Sequence, residues 1–92
     1  MTTTFLPDTP QKMLERAEVH LGEGAEPQHL IDVAAAHEEK WARLVEQQKA
    51  GVQLDGRASI YTGETYAQAR DRWAAYRGLL LDHLRGPDGG GA

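Results

Sequence analysis

The sequence predicts an all-α protein: a short N-terminal helix and a long antiparallel two-helix hairpin, a three-helix bundle with a surface that dimerisation would complete. Three observations carry this expectation. Apolar residues recur at helical spacing in three separate stretches. Each stretch is bounded by Thr, Pro or Gly where those residues start or stop a helix. The two longer apolar stripes match in length and character, as the two sides of a hairpin seam must.

The first helix is expected over residues 10–22. Thr9 stands as its N-cap and Pro10 as its first residue, where the missing N–H of proline has no partner to lose. Met13, Leu14, Ala17 and Leu21 form its apolar stripe, and Gly22 and Gly24 end it, since glycine accepts the left-handed backbone of a C-terminal cap. Three turns are too few to stand without packing.

The second helix is expected over residues 27–50, opened by Glu26-Pro27 and stopped by Gly51. Leu30, Val33, Ala34, His37, Trp41, Leu44, Val45 and Gln48 fall within a sector of roughly 120°. Asp32, Glu39, Arg43 and Glu46 lie opposite. The third helix is expected over residues 63–85, capped by Thr62 and ended by Gly86-Pro87. Tyr66, Ala69, Trp73, Tyr76, Leu80 and Leu84 share its apolar face, with Arg70 and Arg77 on the flank. Glu64, Gln68, Asp71, Arg72 and Asp82 are expected to point away. Folding the two long helices against each other sets Gln48 near Tyr66, Leu44 near Ala69 and Trp41 near Trp73. It also sets His37 near Tyr76 and Arg77, and Leu30 near Leu84.

The connection, residues 51–62, exceeds a minimal helix–helix turn. Asp55-Gly56 is a turn signal between apolar residues, so either a very small β-hairpin or a loop folded back onto the bundle would suit it. Residues 9–86 therefore read as a single helical domain, residues 1–8 as a flexible arm and residues 87–92 as a disordered tail.

Composition excludes several classes of function. The chain has 92 residues and no cysteine, which removes disulfides, thiol catalysis and cysteine-based metal sites. The net charge is −4. Residues 1–51 carry nine acids and five bases, and residues 52–92 carry five of each. An acidic whole counts against a generalist nucleic-acid binder, which needs a positive face. No apolar run approaches the ~20 residues needed to span a bilayer, and the N-terminus lacks the basic and apolar regions of a signal peptide. The cytoplasm is the expected compartment, with no membrane association.

Few residues suggest chemistry. His37 sits mid-face on the second helix, where it would serve as a pH switch or a buried base. Its structural role would be a core histidine in a buried polar network with Gln48 and Tyr76. The four histidines (His20, His29, His37, His83) lack the i,i+4 spacing that puts two imidazoles on one metal. Glu26-Pro27-Gln28-His29 matches a Glu-x-x-His pattern, but only once and on the wrong face. No metal or cofactor is expected, and no nucleophilic triad is visible.

The expected function is therefore that of a non-enzymatic helical protein–protein interaction module, self-associating as a homodimer or binding a larger protein. Leu54, Arg57, Ile60 and Tyr61 on the connection, with Arg70 and Arg77 on the third helix, are its expected partner-binding residues. Ile31, Ala74, Leu79 and Leu81 lie outside the main seam and widen the apolar surface. The alternative is a nucleic-acid-associated regulator that stacks bases and grips phosphates along the Arg/aromatic edge of the third helix. A small enzyme centred on His37, Tyr76 and Arg77 ranks last, because a hairpin offers few concave sites.

Overall fold

Thr9 begins the first helix, α1, which runs Pro10–Gly22. Its hydroxyl accepts a hydrogen bond from the Lys12 amide at 3.2 Å. The second helix, α2, runs Pro27–Lys49, and the third, α3, runs Tyr66–Arg85. The computed structural model describes residues 8–54, 56–59 and 62–85. The expected arm and tail lie outside the described residues, except Asp8, whose carboxylate pairs with Arg16 of α1.

Local chemistry sets the helix ends. Gly24 and Gly51 have φ of 101° and 92°, a backbone region that side chains with a Cβ rarely adopt. At each, the two amides that follow the cap turn back onto the last carbonyls. Ala25 N–H donates to the His20 carbonyl and Gly24 N–H to the Leu21 carbonyl. Val52 N–H donates to the Gln47 carbonyl and Gly51 N–H to the Gln48 carbonyl. This double bond pattern satisfies carbonyls the helix cannot.

Because α1 is short, its cap matters. Thr9→Ala is expected to destabilise the protein by about 1 kcal/mol, measured as a lowered denaturation midpoint. An unchanged midpoint would mean that the Thr9 hydroxyl does not hold the helix start.

The start of α3 departs from expectation. Thr62 does not cap it. Its hydroxyl accepts instead from the Glu64 amide at 3.2 Å, inside the connection. The cap is Thr65, paired reciprocally with Gln68: the Gln68 amide donates to Thr65 Oγ1 at 3.1 Å, and the Thr65 amide donates to Gln68 Oε1 at 2.9 Å. This is a capping box, which satisfies two orphan amides at once. It therefore prevails over Thr62, and α3 opens three residues later than the spacing suggested.

The third helix is the centre of the bundle, since α2 and α1 both pack against it. Met13 and Ala17 of α1, Ala34 of α2, and Tyr76 and Leu80 of α3 form one buried cluster, with Leu14, Leu30, Ile31, Trp73 and Leu84 packed around it. Val45, Tyr66 and Ala69 are buried toward the other end of the hairpin. Ala34 and Ala69 are fully buried, and such small residues let helix axes approach toward the lower end of the usual ~8–10 Å.

The antiparallel hairpin is as expected, but the seam is offset. His37 stacks on Trp73, with centroids 4.2 Å apart and planes within 9°, and Trp41 stacks on Tyr66 at 6.0 Å. Trp41 does not face Trp73. The chain leaving α2 does not turn straight into α3. A Cβ on Gly56 would come within 3.1 Å of the Gln48 side-chain Nε2, so the connection returns beside the last turns of α2 before α3 begins. The start of α3 thereby slides down toward Trp41. An antiparallel bridge between Arg57 and Thr65 closes the connection. It is a single pairing; Asp55, Ile60 and Tyr61 of the expected turn and its flank lie outside the described residues.

Candidate functional site

Trp73 gathers the aromatic side of the site. His37 covers one face of its ring, and Tyr76 meets it edge-on at 5.7 Å and 75°. The expected polar network of His37, Gln48 and Tyr76 does not form. Gln48 is exposed beside Gly56, because the returning connection takes the place opposite it. His37 is held by stacking, and no hydrogen bond to it is found among the described residues. Burial, with the Lys40 ammonium and the Arg72 guanidinium nearby, holds His37 below its ordinary value of 6.5. Burial also pushes the Tyr76 phenol above its ordinary 10.0.

The lowered value makes the fold sensitive to acid. Below 6.5 the unfolded chain takes up this proton more readily than the folded one, so acid favours unfolding. The neutral imidazole's contribution is present above 6.5 and lost as pH falls below it. Melting temperatures taken between about pH 7.5 and 5.5 should fall more steeply for the native chain than for His37→Gln. Equal slopes would show that His37 does not couple to folding.

A concavity lies among the three helices. α1 packs on α3 without packing closely on α2, so a groove of about 300 Å³ remains between α1 and α2 with α3 as its floor. Met13 and Ala17 line one wall, Leu30 and Val33 the other, and Trp73 and Tyr76 the floor. Val33 is 36% exposed at the rim. Asp8, Arg16, His20 and Arg72 supply the polar positions. The groove suits an apolar side chain with a polar surround.

Arg72 is the least exposed of the arginines in ion pairs. Its Nε and Nη2 bind both oxygens of Glu64, at 2.7 and 3.0 Å, and its Nη1 lies 3.4 Å from the Met13 sulfur. Its guanidinium also lies 5.8 Å from the centre of the Trp73 ring. Glu64 is 6% exposed. The expectation that Glu64 and Arg72 point away is therefore corrected: together they tie the connection to α3 and to α1. A bidentate pair of this geometry is the strong form of a charge-assisted bond. Trp41 presents the opposite case, since among the described residues its buried indole N–H finds no acceptor.

The expected partner-binding residues do not converge on this groove. Ile60 and Tyr61 lie outside the described residues. Leu54 is half-buried and Arg57 exposed on the connection. Arg70 pairs with Asp71 at 3.0 Å and Arg77 with Glu38 at 2.8 Å. Arg85 faces Asp82 at 3.8 Å. Every arginine described on α3 thus has an acid beside it, and phosphate would have to compete with a carboxylate at each. Among the residues set outside the seam, Leu81 is exposed, Ile31 packs against the core, and Leu79 and Ala74 are half-buried.

Sequence reasoning missed the groove. Its walls were legible as apolar stripes on α1 and α2, but their convergence depends on α1 choosing α3 as its support. Among the described residues no three His, Asp or Glu side chains converge as metal ligands, and no helix is long and apolar enough to cross a membrane. No family model matches the chain, and neither a curated protein nor a solved structure shows significant similarity to it.

Proposed function

We propose that this chain is a non-enzymatic protein–protein interaction module that self-associates or docks on a larger protein through the groove between α1 and α2. The supporting observation is the groove itself: among the described residues its walls are apolar and its floor aromatic, with Val33 36% exposed at the rim. Apolar surface of this kind gains free energy when covered. The aromatic floor adds the residue types that anchor interfaces. The ion pairing of the α3 arginines with Asp71, Glu38, Glu64 and Asp82 disfavours the nucleic-acid alternative.

The test places a photo-crosslinking residue at position 33 and, as a control, at Glu39 on the exposed side of α2. Sedimentation velocity is run on the native chain and on Val33→Asp. The expected results are crosslinking from position 33 but not from position 39, to a second copy or to one discrete partner, and weaker association of Val33→Asp. A monomer at every concentration, with no crosslink specific to position 33 in the native host, would overturn the reading.

A further inference from the structure

We propose that the outer face of α3 is a self-association surface, on which two copies of the chain cross antiparallel about Gly78. This surface is separate from the groove between α1 and α2. Tyr76 and Leu80 are buried on the inner side of α3. Gly78 is two residues from each, about 160° round the helix from both, and it is exposed.

Glycine is a poor helix former, because it gives up the most backbone freedom on folding. Gly78 nevertheless stands in mid-helix in α3, and its φ is not in the left-handed region that favours glycine. Apart from its own stretch of helix, no atom among the described residues lies within 4 Å of where its Cβ would be. Packing within the chain therefore does not call for the glycine. An exposed position without a Cβ lets a second backbone come close.

The neighbouring side chains supply a fit. Leu81, three residues on, is 39% exposed, and Ala74, four residues back, is half-buried. In an antiparallel crossing about Gly78 these two positions share a flank and a height. Each copy's Leu81 then seats on the other copy's Ala74, large against small, and the two-fold axis repeats the contact. On the same side of the hairpin, Ile31 and Ala35 of α2 are half-buried beside Glu38, which reaches Arg77 of α3 at 2.8 Å. The surface thus continues from α3 onto α2, as in a bundle of two hairpins.

Charge selects a second copy as the occupant and fixes its sense. Asp71 and Arg85 lie seven residues before and after Gly78. Each is about 10 Å from it along the axis and within about 20° of its direction. An antiparallel crossing sets Asp71 of each copy against Arg85 of the other. A parallel crossing sets acid against acid and base against base, which repel. The Asp71 and Arg85 side chains are 69% and 67% exposed. Within the chain Arg85 has only Asp82 at 3.8 Å among the described residues, and Asp71 meets Arg70 through Oδ1 alone. Across the crossing each end becomes a cluster of two acids and two bases, a network in which surface charges contribute more than isolated pairs do.

Sedimentation equilibrium on the full chain tests this. The expected result is a concentration-dependent dimer that Gly78→Leu weakens by about tenfold or more. Gly78→Ala should raise the melting temperature of the dilute monomer and still weaken the dimer, a combination that a glycine outside any interface does not give. Asp71→Arg and Arg85→Asp should each weaken the dimer. Mixing these two variants should restore it, because the mixed pair sets arginine against aspartate at both ends. A native chain that stays monomeric at every concentration would overturn the proposal. So would a dimer that Gly78→Leu leaves unchanged, or charge variants that associate no better mixed than alone. A dimer lost in Val33→Asp but kept in Gly78→Leu would place the contact at the groove and overturn the proposal while supporting the groove, so the two readings fail separately.

Discussion

Arg72→Met is expected to destabilise the protein by about 3–5 kcal/mol, a large part of the ~5–15 kcal/mol that holds a small domain together. Methionine retains much of the aliphatic stem that packs toward Met13 and Trp73 but removes the guanidinium. The Glu64 carboxylate, with its side chain 5% exposed, then loses its cation where water cannot replace it. Glu64 is also tied down through its backbone: the Ala58 amide donates to its carbonyl at 2.6 Å, and its own amide donates to Thr62. The carboxylate therefore cannot swing out without opening the connection. The double variant Glu64→Gln with Arg72→Met should recover most of the loss, because the cost lies in stranding a charge and not in the absence of an ion pair. Urea denaturation followed by circular dichroism on the two single variants and the double variant gives the coupling directly. If the losses simply add, the pair is not coupled in the way its geometry implies.

Trp73→Ala is expected to have an effect of similar size, about 3–5 kcal/mol. The ring is covered by His37 on one face, met edge-on by Tyr76 and approached by Arg72, so its removal opens the seam and the floor of the groove together. Trp41→Ala removes a stack on Tyr66 at a wider 6.0 Å, and it also removes an indole N–H that has no acceptor among the described residues. Leaving such a donor buried costs about 1–3 kcal/mol, so Trp41→Ala should be the milder change and Trp41→Phe milder still. Thermal melts that place Trp73→Ala within error of the native chain would show that Trp73 does not anchor the seam.

Much of the helical layout was legible in the residues. The span of α1 agrees with expectation at both ends because Thr9-Pro10 and Gly24 act within a few residues of themselves. Pro27 and Gly51 act in the same way on α2. Thr65-x-x-Gln68 was equally local and was present in the sequence as a capping signature. Passing over it in favour of Thr62 had a consequence for the site. In a helix running from residue 63, Glu64 and Arg72 would stand about 12 Å apart along one axis, which rules out their pairing. With α3 opening at Tyr66, Glu64 belongs to the turn before the helix and folds back onto Arg72. One misplaced cap thus concealed a buried ion pair.

The groove was hidden for a different reason. Leu30, Val33, Met13 and Ala17 were all visible as apolar faces. Nothing within α1 states whether it will lie on α2 or on α3, since both present apolar side chains of similar kind. The same ambiguity misplaced the seam. Helical periodicity defines a stripe but not how far one stripe slides along another, and the slide here follows from the path of the connection past Gln48.

Three helices, their order, their approximate spans and the antiparallel sense of the long pair are written in the residues, because caps, glycines and helical periodicity act over a few positions. Which aromatic meets which, the burial of Glu64 against Arg72 and the groove that α1 leaves beside α2 emerge from packing. Those outcomes depend on contacts between residues distant in the chain, where several arrangements bury comparable apolar area and the geometry of the connection selects among them.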